Sequence, residues 1–217
     1  MSRLKGNFKY FPWILTVLIT AMSAPLNAQV PPTKQAKKQQ EPHRYIKIDN
    51  RGNTIHDTDK PQQWPCVRDS KTGLLWEIKT RDGGLQDASH NYSWFVPDSN
   101  SNGGFAGYRN KGICPMSQCN TQSYIKAINH QKLCNKSNWR LPTREELRSI
   151  ISYQIKYPGP VVDQRFFPNT LSQFYWSSVP DANNKDSAWG IGFSFGYDYA
   201  YFKSDHGYVR LVSGPLN

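Results

Sequence analysis

No nucleophile motif occurs in this chain: there is no G-x-S-x-G, no H-E-x-x-H and no G-x-x-x-x-G-K-[ST]. Serine-hydrolase, zinc-peptidase and P-loop chemistry therefore have no sequence support. C-x-x-C is missing, and no His lies at a zinc-like offset from a cysteine pair, which disfavours a metal cluster or a redox site. The five His residues (43, 56, 90, 130 and 206) are scattered, so neither a metal site nor a cofactor is expected. After residue 28 no apolar run approaches the roughly 20 residues that a membrane helix needs. Acidic residues are scarce too, with 16 Asp and Glu against 27 Lys and Arg, a formal charge of +11.

What is present at the N-terminus is a secretory pattern. Arg3, Lys5 and Lys9 form a basic region, residues 11–22 an apolar core, and Ala28 a small-residue cleavage position. Residues 1–28 are read as a signal peptide. Residues 29–43 (QVPPTKQAKKQQEPH) lack apolar periodicity and are rich in Pro, Gln and Lys, the composition of a solvated basic linker. The domain is expected over 44–217, secreted, periplasmic or at the cell surface.

Export sets the cysteine chemistry. Cys66, Cys114, Cys119 and Cys134 are an even set in an oxidising compartment, which implies two disulfides. Of the possible pairings, the expected one joins Cys119 to Cys134, stapling the two ends of one helical region. Cys66 would then join Cys114 and tie the long central loop to the domain's first strand.

The positive charge is unevenly spread. Nine basic residues between 109 and 156 face only Glu145 and Glu146. Such a local field attracts anions. In an exported protein nucleic acid is not the expected partner; an anionic glycan or an acidic protein is.

Hydrophobic patterning places the elements. YIKIDNRGNTI alternates around a turn at Asn50, Arg51 and Gly52, and residues 74–79 form a strand with one apolar face. Residues 80–119 are loop by composition. A helix fits 121–132, capped by Asn120 or Thr121. In NWRLPTREEL, Thr143 and Glu146 make a capping box, and Leu147, Ile150 and Ile151 supply the buried stripe of a second helix. FYWSS is a strand; AWGIGFS, YDYAYFK and YVRLVSG then give a three-stranded meander. Strand, helix, helix and strands is an α+β arrangement, two helices packed on antiparallel β-sheets. Trp76, Trp139, Trp176 and Trp189 fall at core positions.

Candidate chemistry is modest. Glu145 and Glu146 sit where first-turn carboxylates answer the helix dipole, so their expected role is structural. Asp98, Asn100, Asn102 and Gly103 spell half a calcium loop, but Arg109 stands where the closing carboxylate belongs. The alternate aromatics Phe193, Phe195, Tyr197, Tyr199 and Tyr201 suit either core and cross-strand packing or a sugar-stacking face, whose exposed portion would run from Tyr197 through Tyr199 and Tyr201 to Lys203. Arg109, Lys111, Lys126, Lys132 and Lys136 are the expected charge contacts, and Arg144 and Arg148 extend that basic set.

Four stretches in order, CVRDSKTGLLWEIKT, CNTQSYIKAINHQKLCNKSNWRLPTREEL, FYWSS and YVRLVSG, resemble the Legionella collagen-like protein C-terminal domain family over roughly residues 44–217. The resemblance implies a C-type-lectin-like fold, binding of sulfated glycans and a homotrimer. The W-R-L-P-T stretch and the final V-R-L strand also recur in the formylglycine-generating branch of that fold, whose chemistry needs a reactive cysteine pair. This chain departs from the pattern in having no collagen-like repeat and none of the E-P-N, Q-P-D or W-N-D signatures of calcium-dependent lectins. The expectation is a non-catalytic, adhesin-like binding module for anionic polysaccharide. The alternative is a structural or protein-interaction subunit of the bacterial envelope or an appendage.

Overall fold

A computed structural model describes residues 44–56 and 63–214. The signal peptide and linker expectations fall on residues 1–43, outside the described residues. Seven strands and two α-helices follow in the order β1 (Tyr45–Ile48), β2 (Cys66–Asp69), β3 (Leu75–Glu77), α1 (Thr121–Gln131), α2 (Arg144–Ser149), β4 (Phe174–Pro180), β5 (Ser187–Gly192), β6 (Tyr197–Phe202) and β7 (Val212–Ser213). They make two antiparallel sheets, β1-β2-β3-β7 and β4-β5-β6. The class is α+β, as expected from the patterning.

Successive strand residues point to opposite faces, and here both faces are covered. Ile48, Cys66, Leu75, Phe174 and Trp176 enter one hydrophobic cluster with Tyr124 and Ile128 of α1. Tyr45, Val67, Trp76, Tyr175 and Ile191 enter a second with Leu147 and Ile150, in and just after α2. The segment 74–79 is therefore buried throughout, not on one face as its alternation suggested. Its polar members survive burial by pairing. Glu77 Oε1 accepts from Lys79 Nζ at 2.9 Å and from the Tyr124 hydroxyl, and Glu77 Oε2 accepts from the Leu211 amide at 2.9 Å. Arg210 donates to the Glu77 carbonyl at 2.7 Å and to Thr170 Oγ1 at 2.7 Å.

The helix signals hold. Asn120 caps α1 by accepting from the Ser123 amide. Thr143 and Glu146 form the capping box of α2, and Glu146 also takes both Arg140 guanidinium nitrogens at 2.7 Å. NWRLPTREEL is thus a corner: Trp139 and Leu141 are buried, and Arg140 bridges to Val212. Trp76, Trp139 and Trp176 are core, but Trp189 is only half-buried, under the Arg144 guanidinium 4.5 Å from its ring centre. The meander is β4-β5-β6 instead of three strands ending in YVRLVSG. YVRLVSG crosses between the sheets: Tyr208 bridges Tyr175 of β4 in parallel, and Val212–Ser213 pairs with β3.

The disulfides differ from the expected pairing: Cys66 joins Cys134, and Cys114 joins Cys119. Helical rise explains it. The 11 residues of α1 separate its ends by about 16 Å, far beyond the roughly 7 Å that a disulfide spans between Cα atoms. Cys119 instead closes its own loop, where its amide bonds Asn110 Oδ1 at 3.0 Å and its carbonyl accepts from Gly112 at 3.1 Å. Cys134, past the end of α1, packs on β2.

Two outcomes follow. Unreduced tryptic digestion should yield peptide 112–126 with an internal disulfide and a Cys66 peptide linked to 133–136; linkage of 112–126 to either other cysteine peptide contradicts the fold. For Glu146, burial opposes ionisation, but hydrogen bonds from Arg140 and the Thr143 amide outweigh it and hold the carboxyl below its ordinary 4.5. A depressed carboxylate contributes stability above its unfolded value and loses it as pH falls through the folded one. Glu146→Gln should cost about 1–2 kcal/mol at neutral pH, and the gap to wild type should close as denaturation is followed below pH 4.5.

Candidate functional site: a cationic face along α1

Residues 99–144 contain no Asp or Glu. Seven basic residues lie in that span, and the fold gathers five of them around α1. Arg109 and Lys111 stand at its N-terminal end. The Asn120 cap donates through Nδ2 to the Arg109 carbonyl, and the Lys111 amide bonds Ser93 Oγ at 3.2 Å. Lys126 lies mid-helix, on the side away from buried Tyr124 and Ile128. Lys132 is the left-handed C-cap of α1, with φ 51°, and Lys136 follows one short 3-10 turn later. All five side chains are exposed. None of them takes part in the ion pairs found among the described residues. A helix of this length spreads them over about 16 Å. Arg109 is held further by lying over the Phe95 ring, 4.8 Å from its centre.

The other sequence candidates lie elsewhere. Arg144 and Arg148 converge on Asp198, at 3.4 and 2.9 Å, so α2 is clamped to β6 and these two are partly neutralised. Tyr199 and Tyr201 lie against buried Phe174, at centroid distances of 5.0 and 4.2 Å. Burial, with a hydrogen bond to Tyr201, pushes the Tyr199 hydroxyl up to about 12. Both belong more to packing than to an open platform, and Phe193 is fully buried.

Lys203 is a correction. Expected on the surface, it is buried, and Nζ donates to the carbonyls of Asn102 at 2.8 Å, Phe105 at 2.7 Å and Lys185 at 2.6 Å. The ammonium also sits 4.5 Å from the Trp94 ring centre. Burial lowers its pKa, with Asp186 acting in the opposite direction. Two of those carbonyls belong to the loop that carries the half calcium motif, so the chain's own ammonium supplies positive charge there. Asp98 serves the turn, accepting from the Asn100 amide and Ser101 hydroxyl.

Sequence reasoning singled out Phe195 and Tyr197 but passed over their neighbours Tyr153 and Tyr157. Tyr153, Tyr157, Phe195 and Tyr197 are 66%, 66%, 52% and 68% exposed. Two of them lie in a Pro- and Gly-rich segment without periodicity, and their only signal was the Y-x-x-x-Y spacing itself.

All four cysteines are paired, leaving no thiol for redox or covalent chemistry. No group of three or more His, Cys, Asp or Glu positioned to hold a metal occurs among the described residues. Nor is any described helix long and apolar enough to cross a membrane.

The molecule is thus a disulfide-stapled α+β domain whose surface chemistry is cationic and aromatic. Its sequence matches the Lcl C-terminal domain family over residues 65–213, and the chain belongs to that family. No curated protein matches it.

The loop that flanks this face depends on Lys203. Lys203→Met should lower the unfolding free energy by about 2–4 kcal/mol, since buried carbonyls would lose their donor. Denaturant titration of the oxidised protein measures this; a loss under about 0.5 kcal/mol, the size of an ordinary surface change, would refute the role given to the ammonium.

Proposed function

We propose that this chain is an exported, non-catalytic binding module with a C-type-lectin-like fold, whose α1 face takes anionic polysaccharide. The observation that carries the proposal is the set of five exposed cations along α1, in a stretch of chain without a carboxylate. A sulfated or uronic chain offers anions at regular spacing, and several weak contacts at once give avidity that no single lysine provides. The family assignment supports the same reading. The paired cysteines count against formylglycine-type chemistry, which needs a free thiol.

Heparin is the probe. Binding by calorimetry should fall steeply between about 0.05 M and 0.5 M salt, as screening shortens the reach of charge, and should not respond to chelator. Replacing Lys126, Lys132 and Lys136 together by Gln should weaken low-salt binding about tenfold, at ~0.5 kcal/mol per exposed contact. Salt-independent binding, or an unaltered triple variant, would overturn the proposal. An acidic protein retained by wild type in place of heparin would support the interaction-subunit alternative.

A further inference from the structure

A second surface lies on the α2 side of the fold. Ser152 donates its amide to the Val161 carbonyl at 2.7 Å, and Val161 donates to Phe193 at 2.8 Å. These bonds fasten the 152–161 segment to the end of β5. Gly159 is pressed so close that an added Cβ would lie 2.6 Å from the Phe193 carbonyl oxygen. At Gly196, in the β5–β6 turn, an added Cβ would meet Ile151 at 3.0 Å and Tyr153 at 3.3 Å. Two loops are thereby locked together, and their aromatic rings come into one array. Tyr157 and Phe195 stack at 4.5 Å with an 11° interplanar angle. Phe195 and Tyr197 are 6.1 Å apart at 7°.

We propose that Tyr157, Phe195 and Tyr197 form a subsite that stacks on the pyranose rings of a linear polysaccharide. Three nearly parallel rings on two tied loops are preorganised, so little ordering cost attends binding. All three remain more than half exposed, which is unusual for side chains of this size. The composition of the patch selects the occupant. Among the described residues the large exposed hydrophobics are all aromatic except Ile113, which lies in the central loop. Tyr157 and Phe195 cover one face of each other, so the array offers its outer ring faces and edges; a lipid-facing patch would mix aliphatic side chains with the rings, whereas outer aromatic faces beside tyrosine hydroxyls suit the C–H faces and hydroxyls of sugars. Charge complements this. Lys156 adjoins Tyr157 at one end, and Arg148, 46% exposed, reaches Asp198 next to Tyr197 at the other. An acidic pyranoside would find a cation at either end of the array.

This subsite does not rest on the α1 cations, and the experiment separates the two. At about 1 M salt, where screening reaches about 3 Å, cellohexaose, chitohexaose and a hexauronate are titrated against the oxidised chain by calorimetry or ligand-observed NMR. At least one should bind. Phe195→Ala, Tyr197→Ala and Tyr157→Ala should each weaken it about two- to tenfold, the range of one aromatic contact. Tyr197→Phe should retain binding, and thermal melts should show each variant folded. The Lys126/Lys132/Lys136 triple variant should bind the oligosaccharide at high salt as wild type does. Failure of every oligosaccharide to bind, or alanine variants that bind equally well, overturns the proposal. So does an alanine effect confined to phosphatidylcholine vesicle binding or to self-association.

Discussion

The Glu77 carboxylate is the point from which the rest of the fold is organised. It is fully buried, and an isolated buried charge would neutralise itself or unfold the protein. It stays because its two oxygens are filled from three directions: Lys79 in the same segment, Tyr124 on α1 and the Leu211 amide beside β7. Strand β3, helix α1 and the chain's last stretch cannot separate without exposing an unpaired group. Arg210 adds a fourth tie through the Glu77 carbonyl and Thr170. Burial depresses the Lys79 and Arg210 pKa values while Glu77 opposes that shift, the mutual dependence expected of a buried network. Such a cluster stabilises little beyond what apolar residues would; its consequence is that only one arrangement of these elements satisfies it.

Lys203 repeats the principle just past β6, beside the other sheet. There the acceptors are carbonyls from two loops, and the ammonium fixes loop positions that contain few apolar side chains. Trp94 supplies the buried mass nearby, with its indole nitrogen bonded to the Ser177 carbonyl at 2.9 Å. The long loop 80–119 is therefore ordered by three separate devices: the buried ammonium, Trp94 and the Cys114–Cys119 closure. That matters for the candidate face, because Arg109 and Lys111 belong to this loop. Their separation from α1 is set by the Asn120 side chain, which accepts from the Ser123 amide through Oδ1 and donates through Nδ2 to the Arg109 carbonyl.

Local chemistry was legible in the sequence; partners distant in the chain were not. Asn120, Thr143 and Glu146 announce helix starts because a cap is decided within three or four residues. The β5–β6 hairpin read correctly from alternation and turn residues for the same reason. YVRLVSG alternates equally well whichever sheet it joins, so its transfer to β3 could not be read. Lys79 and Lys203 looked like surface lysines because their acceptors lie on other elements: Tyr124 is 45 residues away from Lys79, and Asn102 is 101 from Lys203. The disulfides are the instructive case. Their partners were misassigned although the predicted helix already contained the correction, since its own length forbids a bond between Cys119 and Cys134. The five α1 cations were legible as a set because charge scarcity is a property of the chain, while the Tyr157–Phe195–Tyr197 array depends on two loops meeting.

The two candidate surfaces differ in what fixes them, and this bears on how each could evolve a specificity. Cations on α1 are carried by long exposed stems. Their field reaches several ångströms and tolerates movement, so they set charge preference and encounter rate more than shape. The aromatic array is held by backbone hydrogen bonds and close glycine contacts, so its geometry is as fixed as the core behind it. It can discriminate ring shape and linkage but not charge, except through Lys156 and Arg148 at its ends. α1 contributes to one hydrophobic cluster and α2 to the other. Each surface therefore rests on its own half of the core, and a substitution that remodels one leaves the support of the other in place.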